Sequence, residues 1–163
     1  MTLNVPGHGP KPERFLCDEM LAKLAHWLRA AGYDVAMAEP GTRDDSLMVK
    51  AVATGRLLLT RDREFIERRG AADHVFLIQS DDLDEQVAEI TEPLQIDWMK
   101  APFTRCLMDN ADLRPATGEE IRTLPQKPED LGQPVMTCPV CGRHYWRGSH
   151  TERMIERMKK WRC

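Results

Sequence analysis

Apolar and polar positions switch between two periods along the N-terminal part of the chain. The apolar run Phe15–Cys17 reads as a first strand. Met20, Leu21, Leu24, Ala25, Leu28 and Ala31 then recur at spacings of three and four, which predicts an amphipathic helix that Gly32 stops. Tyr33–Ala38 reads as a second strand. Asp44 or Asp45 is placed to cap a helix through about Thr54, closed by Gly55. RLLLT (56–60) is a buried strand and REFIERRG a short helix ending at Gly70. HVFLIQ (74–79) is a fourth strand. SDDLDEQVAEITEPL is a helix with Ser80, Asp81 or Asp82 as its cap. Strands alternate with helices over residues 15–92. That order predicts an α/β fold: a parallel sheet with right-handed crossovers and helices on both faces.

The pattern breaks after Asp97. The stretch from Ala101 to His150 is rich in Pro, Gly and polar residues and has little periodicity. It cannot bury much apolar surface, and a bound metal is the usual way to hold so small a module. The boundary falls near Asp97–Phe103. A last helix, TERMIERMKKW, carries Met154, Ile155, Met158 and Trp161 on one stripe. The expected organisation is a tail (1–14), an α/β domain (15–97), and a small module with a terminal helix (98–163).

Composition changes this picture little. Hydrophobic residues make up 42% and charged residues 30%, which is ordinary for a soluble protein. No apolar run is long enough to span a membrane, and MTLNVPGHGPKPER lacks the apolar centre of a signal peptide. A cytoplasmic location is expected. Charge adds more. The net value of −3 divides into +5 over residues 143–163 and −8 over the rest. A basic end on an acidic body suits a polyanion at one end and cations at the other, although a solvated basic helix would look the same. The five cysteines (17, 106, 138, 141, 163) are odd in number and unevenly spaced, so they do not form a disulfide framework.

Two sets of residues carry candidate chemistry. The first is acidic. Ligand sites of open parallel sheets lie outside the carboxyl ends of the strands. Asp18 follows the first strand, Asp44 and Asp45 open the helix after the second, and Asp62, with Glu64 close by, follows the third. Asp81 and Asp82 follow the fourth. Converging carboxylates repel one another unless cations are present, and such oxygen ligands suit Mg²⁺ or Mn²⁺. Each acid taken singly is more often a helix cap or turn residue. No Gly-rich phosphate loop is present, which argues against nucleoside-triphosphate chemistry.

The second set is a pair of knuckles. Cys138-x-x-Cys141, flanked by Pro139 and Gly142, is half of a common Zn²⁺ site. Cys106-x-x-Asp109 resembles the other half, with Asp where Cys is expected. The fourth ligand is open among Asp109, Cys163, His144, His150 and water, and Asp109 is favoured. Beyond the second knuckle, Tyr145 and Trp146 stand among Arg143 and Arg147, a mixture that can stack bases and hold phosphates. One of the two aromatics is expected to be a packing anchor instead.

At FLCDEMLAKLAHWLRAAGYDV, DDSLMVKAVATGRLLLTRDREF, SDDLDEQ and CPVCGRHYWRGSHTERM the chain resembles the Mut-seven C-terminal ribonuclease family, from about Phe15 to Met158. The resemblance implies a PIN-like nuclease domain followed by a zinc ribbon, and metal-dependent cleavage of RNA. Carried onto this sequence, it implies catalytic roles for Asp18, Asp44 and Asp62. It implies supporting roles for Thr60, Asp45 and Asp81 or Asp82, with Mg²⁺ or Mn²⁺ as the catalytic ion. Zn²⁺ would be structural, at Cys106, Asp109, Cys138 and Cys141. Arg61, Arg143, Tyr145, Trp146 and Arg147 are the candidates to meet RNA. Two other readings stay open: a non-catalytic RNA- or protein-binding module whose acids are only caps, and a toxin-like nuclease held by an antitoxin partner.

Overall fold

The structure is a computed structural model, and it describes residues 11–68 and 70–162. Most of the expected N-terminal tail, and Cys163, lie outside the described residues. Four short strands come first: β1 (Arg14–Cys17), β2 (Asp34–Met37), β3 (Leu57–Thr60) and β4 (Val75–Leu77). All pair in parallel, in the order β2-β1-β3-β4. Every residue of β3 is buried, which is why its sequence is a continuous apolar run rather than an alternation. Cys17 stands level with both Met37 and Leu59, so β1, β2 and β3 end at one rim.

Three helices connect and cover these strands: α1 (Ala22–Ala30), α2 (Asp44–Thr54) and α3 (Leu83–Thr91). Phe15, Cys17, Leu57, Leu59 and Phe76 face α1 and α3 in one core. Leu16, Leu58 and Val75 face Leu47 and Ala51 of α2 in the other. The sheet therefore has helices on both faces, as the periodicity predicts. One expected helix is missing. Among its described residues, REFIERRG makes a single 3-10 turn, Arg63–Phe65, because Phe65 is the one buried anchor there and Ile66 stays exposed.

The segment after Asp97 is strapped to the α/β core. Trp98 is fully buried, and its indole N–H donates to Thr91 Oγ1 at 2.9 Å. The Asp97 amide donates to Tyr33 Oη at 2.8 Å. Amides of Ala101 and Phe103 donate to the carbonyls of Ala31 and Ala30, both at 2.9 Å. Gly32 permits this approach. Its φ is 102°, and a Cβ there would lie 2.6 Å from the Ala101 carbonyl oxygen. Beyond the strap lie β5 (Arg114–Pro115), α4 (Gly118–Arg122), β6 (Gly132–Thr137) and β7 (His144–Arg147). The strands form a small antiparallel sheet in the order β5-β6-β7.

The terminal helix, α5 (Ser149–Trp161), returns to the main core. Met154, Ile155 and Met158 are buried there alongside Leu24 and Leu28. Trp161 meets Trp27 and Trp98 edge-on, at ring separations of 4.9 and 5.0 Å. Arg157 Nη2 and Trp161 Nε1 both donate to the Asp84 carboxylate, at 3.1 and 2.9 Å. The sequence groups this helix with the ribbon, yet its apolar stripe packs on the α/β layer. Among the described residues, no helix is long and apolar enough to cross a membrane. Met158→Ala should therefore destabilise the whole molecule by about 2–5 kcal/mol in urea unfolding, and Lys160→Ala on the exposed face by less than about 0.5 kcal/mol. Equal effects would mean that α5 does not pack this way.

Candidate active site and metal centre

The chain runs outward from β1 to β2 and then returns past β1 to β3. The crevice at the ends of β1 and β3 is the switch point where open α/β sheets take ligands. A cleft of about 370 Å³ opens here, lined in part by Asp18, Glu39, Asp44, Arg61 and Asp62. Thr60, fully buried at the end of β3, sets the two central acids. Its hydroxyl donates to Asp18 Oδ2 at 3.0 Å and accepts from the Asp62 amide at 3.0 Å. One hydroxyl can do both, so it ties the residues after β1 and β3 together.

Capping does not account for most of these carboxylates. Asp18 precedes a 3-10 turn but makes no side-chain cap bond. The expectation that Asp44 or Asp45 caps α2 is corrected: Arg43 holds the N-cap position, and both acids lie in the first helical turn. There they face the positive end of the helix dipole without being consumed by a backbone amide. Asp62 does cap, accepting from the Glu64 amide at 2.9 Å through one of its two oxygens. Carboxylate oxygens of Asp44, Asp62 and Glu64 lie within 4.8 Å of one another, a grouping that could hold a cation. Glu64 stood outside the expected site set. The signal was its position two residues after Asp62, which a 3-10 turn brings round.

Arg68 lies against the same acids. Its Nη2 is 3.1 Å from Asp44 Oδ2, and its Nη1 pairs with Asp45. Asp82 takes the bland role, capping α3 by accepting from the Glu85 amide at 3.0 Å. Asp81 is exposed, and neither Asp81 nor Asp82 is among the residues that line the cleft.

The second cluster unites Cys106, Asp109, Cys138 and Cys141, whose ligand atoms all lie within 4.8 Å of one another. The two knuckles share one backbone pattern. Asn110 N donates to the Cys106 carbonyl and Gly142 N to the Cys138 carbonyl, both at 3.0 Å. Cys106 N donates to the Ala111 carbonyl and Cys138 N to the Arg143 carbonyl, both at 2.8 Å. Asn110 and Gly142 are both left-handed, with φ of 71° and 75°. Asp109 thus occupies the place in the first knuckle that Cys141 occupies in the second. His144 is engaged elsewhere, its Nδ1 lying 2.8 Å from Thr137 Oγ1.

The electrostatics suit a cation. Burial and the adjacent Asp109 carboxylate push the Cys138 thiol up to about 11, and that thiol lies 3.2 Å from Asp109 Oδ2. Burial works to raise the Cys106 thiol too, but a hydrogen bond from Tyr145 and neighbouring backbone amides bring it below its ordinary value. Three sulfurs and a carboxylate fit Zn²⁺, which binds thiolates and would replace the proton shared near Asp109 and Cys138.

An acidic switch point followed by paired knuckles and a docked helix now has a counterpart among known families. The model of the Mut7-C RNAse domain matches residues 13–158. The chain belongs to the Mut7-C RNAse domain family. No curated protein and no solved structure matches it. The match takes in both halves of this Mut7-C RNAse domain, the cleft and the cysteine cluster.

The halves are braced on each other. Arg29, buried in α1, donates to the Val35 carbonyl at 2.7 and 2.9 Å. The same guanidinium donates to the carbonyls of Leu107 and Met108 in the first knuckle, both at 3.1 Å. Asn110 completes the joint: its Oδ1 accepts from the Val35 amide at 2.8 Å and its Nδ2 donates to Asp34 at 2.6 Å. Partial burial works to raise the Asp34 carboxyl, but hydrogen bonds from Arg56 and Asn110 outweigh it and hold the group at about 2. β2, fixed in this way, leads directly into the loop that forms one wall of the cleft.

Among the candidates for RNA, Tyr145 is already occupied. Its hydroxyl lies 3.2 Å from Cys106 Sγ and accepts from the Leu107 amide at 3.0 Å. It is the packing anchor of the aromatic pair. Arg147 is ion-paired with Glu152 at 3.4 Å. Arg61 lies at the cleft, with a buried Nε that has no hydrogen-bond partner.

Asp109→Cys should retain one bound zinc per chain, whereas Asp109→Ala should weaken zinc binding by at least about tenfold. Competition with a chromogenic chelator measures both, and unchanged affinity in Asp109→Ala would remove Asp109 from the ligand set. Arg68 competes for the carboxylates that a divalent ion would use. Arg68→Ala should therefore tighten Mn²⁺ binding about two- to fivefold by calorimetry, the scale of one partly exposed charge pair. Weaker binding would mean that Arg68 positions Asp44 instead.

Proposed function

We propose that this chain is a Mg²⁺- or Mn²⁺-dependent ribonuclease that hydrolyses RNA phosphodiester bonds at the cleft between the ends of β1 and β3. One observation carries the reading. Asp18, Asp44 and Asp62 line one switch-point cleft, and neither Asp18 nor Asp44 is spent on capping. Membership of the Mut7-C RNAse domain family supports RNA as the substrate.

Asp44, Asp62 and Glu64, whose carboxylate oxygens come within 4.8 Å of one another, would hold the ion, with Asp18 on the same cleft wall to complete its shell. When bound, the ion supplies Lewis-acid activation of water and charge stabilisation at phosphorus. The chain's own residues do the rest. Thr60 fixes the spacing of Asp18 against Asp62 through its two hydrogen bonds. Arg61, lining the cleft, offsets the charge of a phosphate that enters it. Arg68 neutralises Asp44 and Asp45 and so limits repulsion within the cleft. Zn²⁺ at Cys106, Asp109, Cys138 and Cys141 would be structural, closing the knuckle that braces β2.

The competing reading, a non-catalytic module whose acids are caps, fits Asp82, which caps α3, better than it fits Asp18 or Asp44. The test is cleavage of a labelled RNA in Mn²⁺. Asp18→Asn and Asp62→Asn should each lower kcat by at least about a hundredfold with zinc content unchanged, and Asp82→Asn should leave it within about threefold. Full activity in both Asp18→Asn and Asp62→Asn would end the proposal.

A further inference from the structure

A second cavity, of about 440 Å³, lies at the seam between the α/β layer and the ribbon. Its walls come from α1 (His26), the first knuckle (Leu107, Met108), β7 and the start of α5. Its lining reverses that of the acidic cleft. The chain has 26 acidic residues, yet none lines this cavity, where Arg143 is the charged side chain and the imidazoles of His26, His144 and His150 stand beside it. Phe103, Leu107, Met108 and Trp146 give it an apolar side, and Met108 is 58% exposed.

The cation at this cavity is not committed. Arg147 next door is paired with Glu152, whereas Arg143 has no ion pair among the described residues. The tryptophans show the same contrast. The Trp98 and Trp161 indoles donate to Thr91 and Asp84, while the Trp146 N–H has no partner among the described residues. Trp146 is half-buried and lines the cavity.

An apolar aromatic wall beside an unpaired guanidinium and imidazole donors, free of carboxylates, matches one ligand chemistry: a flat heteroaromatic ring attached to a phosphate. We propose that this seam is a nucleotide subsite that takes one unpaired base of an RNA strand, stacked on Trp146, with the flanking phosphate held by Arg143 and His150. Stacking on an aromatic side chain is tolerant of base identity, so the subsite selects single-stranded RNA rather than a sequence. The subsite deepens the nuclease reading and rests on it for the identity of the polymer. It adjoins the brace at Leu107 and Met108, whose carbonyls Arg29 bonds, and so gives the ribbon a substrate-holding role beyond stability.

The test uses the full zinc-loaded chain and a fluorescein-labelled single-stranded RNA octamer. Binding is read by anisotropy without Mn²⁺, and cleavage is read separately with Mn²⁺. Trp146→Ala and Arg143→Glu should each weaken binding at least about fivefold, Trp146→Phe should recover most of the loss, and a double-stranded octamer should bind more weakly than the single strand. In cleavage, the loss should appear in KM while kcat holds. Zinc content and the unfolding midpoint of each variant separate a lost contact from a lost fold. If both variants misfold, photo-crosslinking of 4-thiouridine RNA to the native chain decides, by whether the adduct falls in residues 143–150. Unchanged affinity in well-folded Trp146→Ala and Arg143→Glu, or crosslinks elsewhere, would overturn the subsite while leaving Mn²⁺-dependent cleavage intact. Trp146-dependent RNA binding without any cleavage would uphold the subsite and overturn the nuclease reading instead.

Discussion

Repulsion between carboxylates is the constraint around which this molecule is arranged. The β2-β1-β3-β4 order sets β1 beside β3; Asp18 directly follows β1, and Asp62 lies two residues beyond β3. Two such acids at adjacent strand ends cost stability unless something positive or hydrogen-bonding stands between them. The protein supplies both. The Thr60 hydroxyl spans Asp18 and the Asp62 backbone, and Arg68 sits against Asp44 and Asp45. This internal compensation keeps the cleft folded while leaving carboxylate oxygens close enough together for a divalent ion.

The ribbon answers a different problem. A segment with so few buried apolar residues cannot hold itself, so it is held from outside. Arg29 bonds three backbone carbonyls, one on β2 and two in the first knuckle, and the Asn110 side chain bonds the Val35 amide and the Asp34 carboxylate. The strap around Trp98 and the docking of α5 complete the attachment. A left-handed residue after each knuckle closes two equal loops, one ending in Cys141 and the other in Asp109.

Much of this was legible in the sequence. Periods of two and three-to-four residues located the four strands and three helices because each buries one side or both against a shared core. The acidic rim was legible from strand ends alone, and the knuckles from spacing. Other features were hidden for physical reasons. The N-cap of α2 is Arg43 because backbone conformation, not side-chain preference, sets where the helix begins. The antiparallel sheet was unreadable because β5 is exposed and β6 buries only Val135 and Thr137. The helix α5 looked like part of the ribbon because its partners, Trp27, Asp84 and Trp98, are remote in sequence. Tyr145 looked like an RNA contact because its bond to Cys106 depends on how β7 lies beside the first knuckle.

The most direct measurement is anomalous scattering from crystals grown with Mn²⁺, recorded at the manganese and zinc absorption edges. A zinc peak enclosed by Cys106, Asp109, Cys138 and Cys141 is expected, with a separate manganese peak in the cleft among Asp18, Asp44 and Asp62. A cleft without manganese, or manganese bound only at other acids, would contradict the proposed ion site.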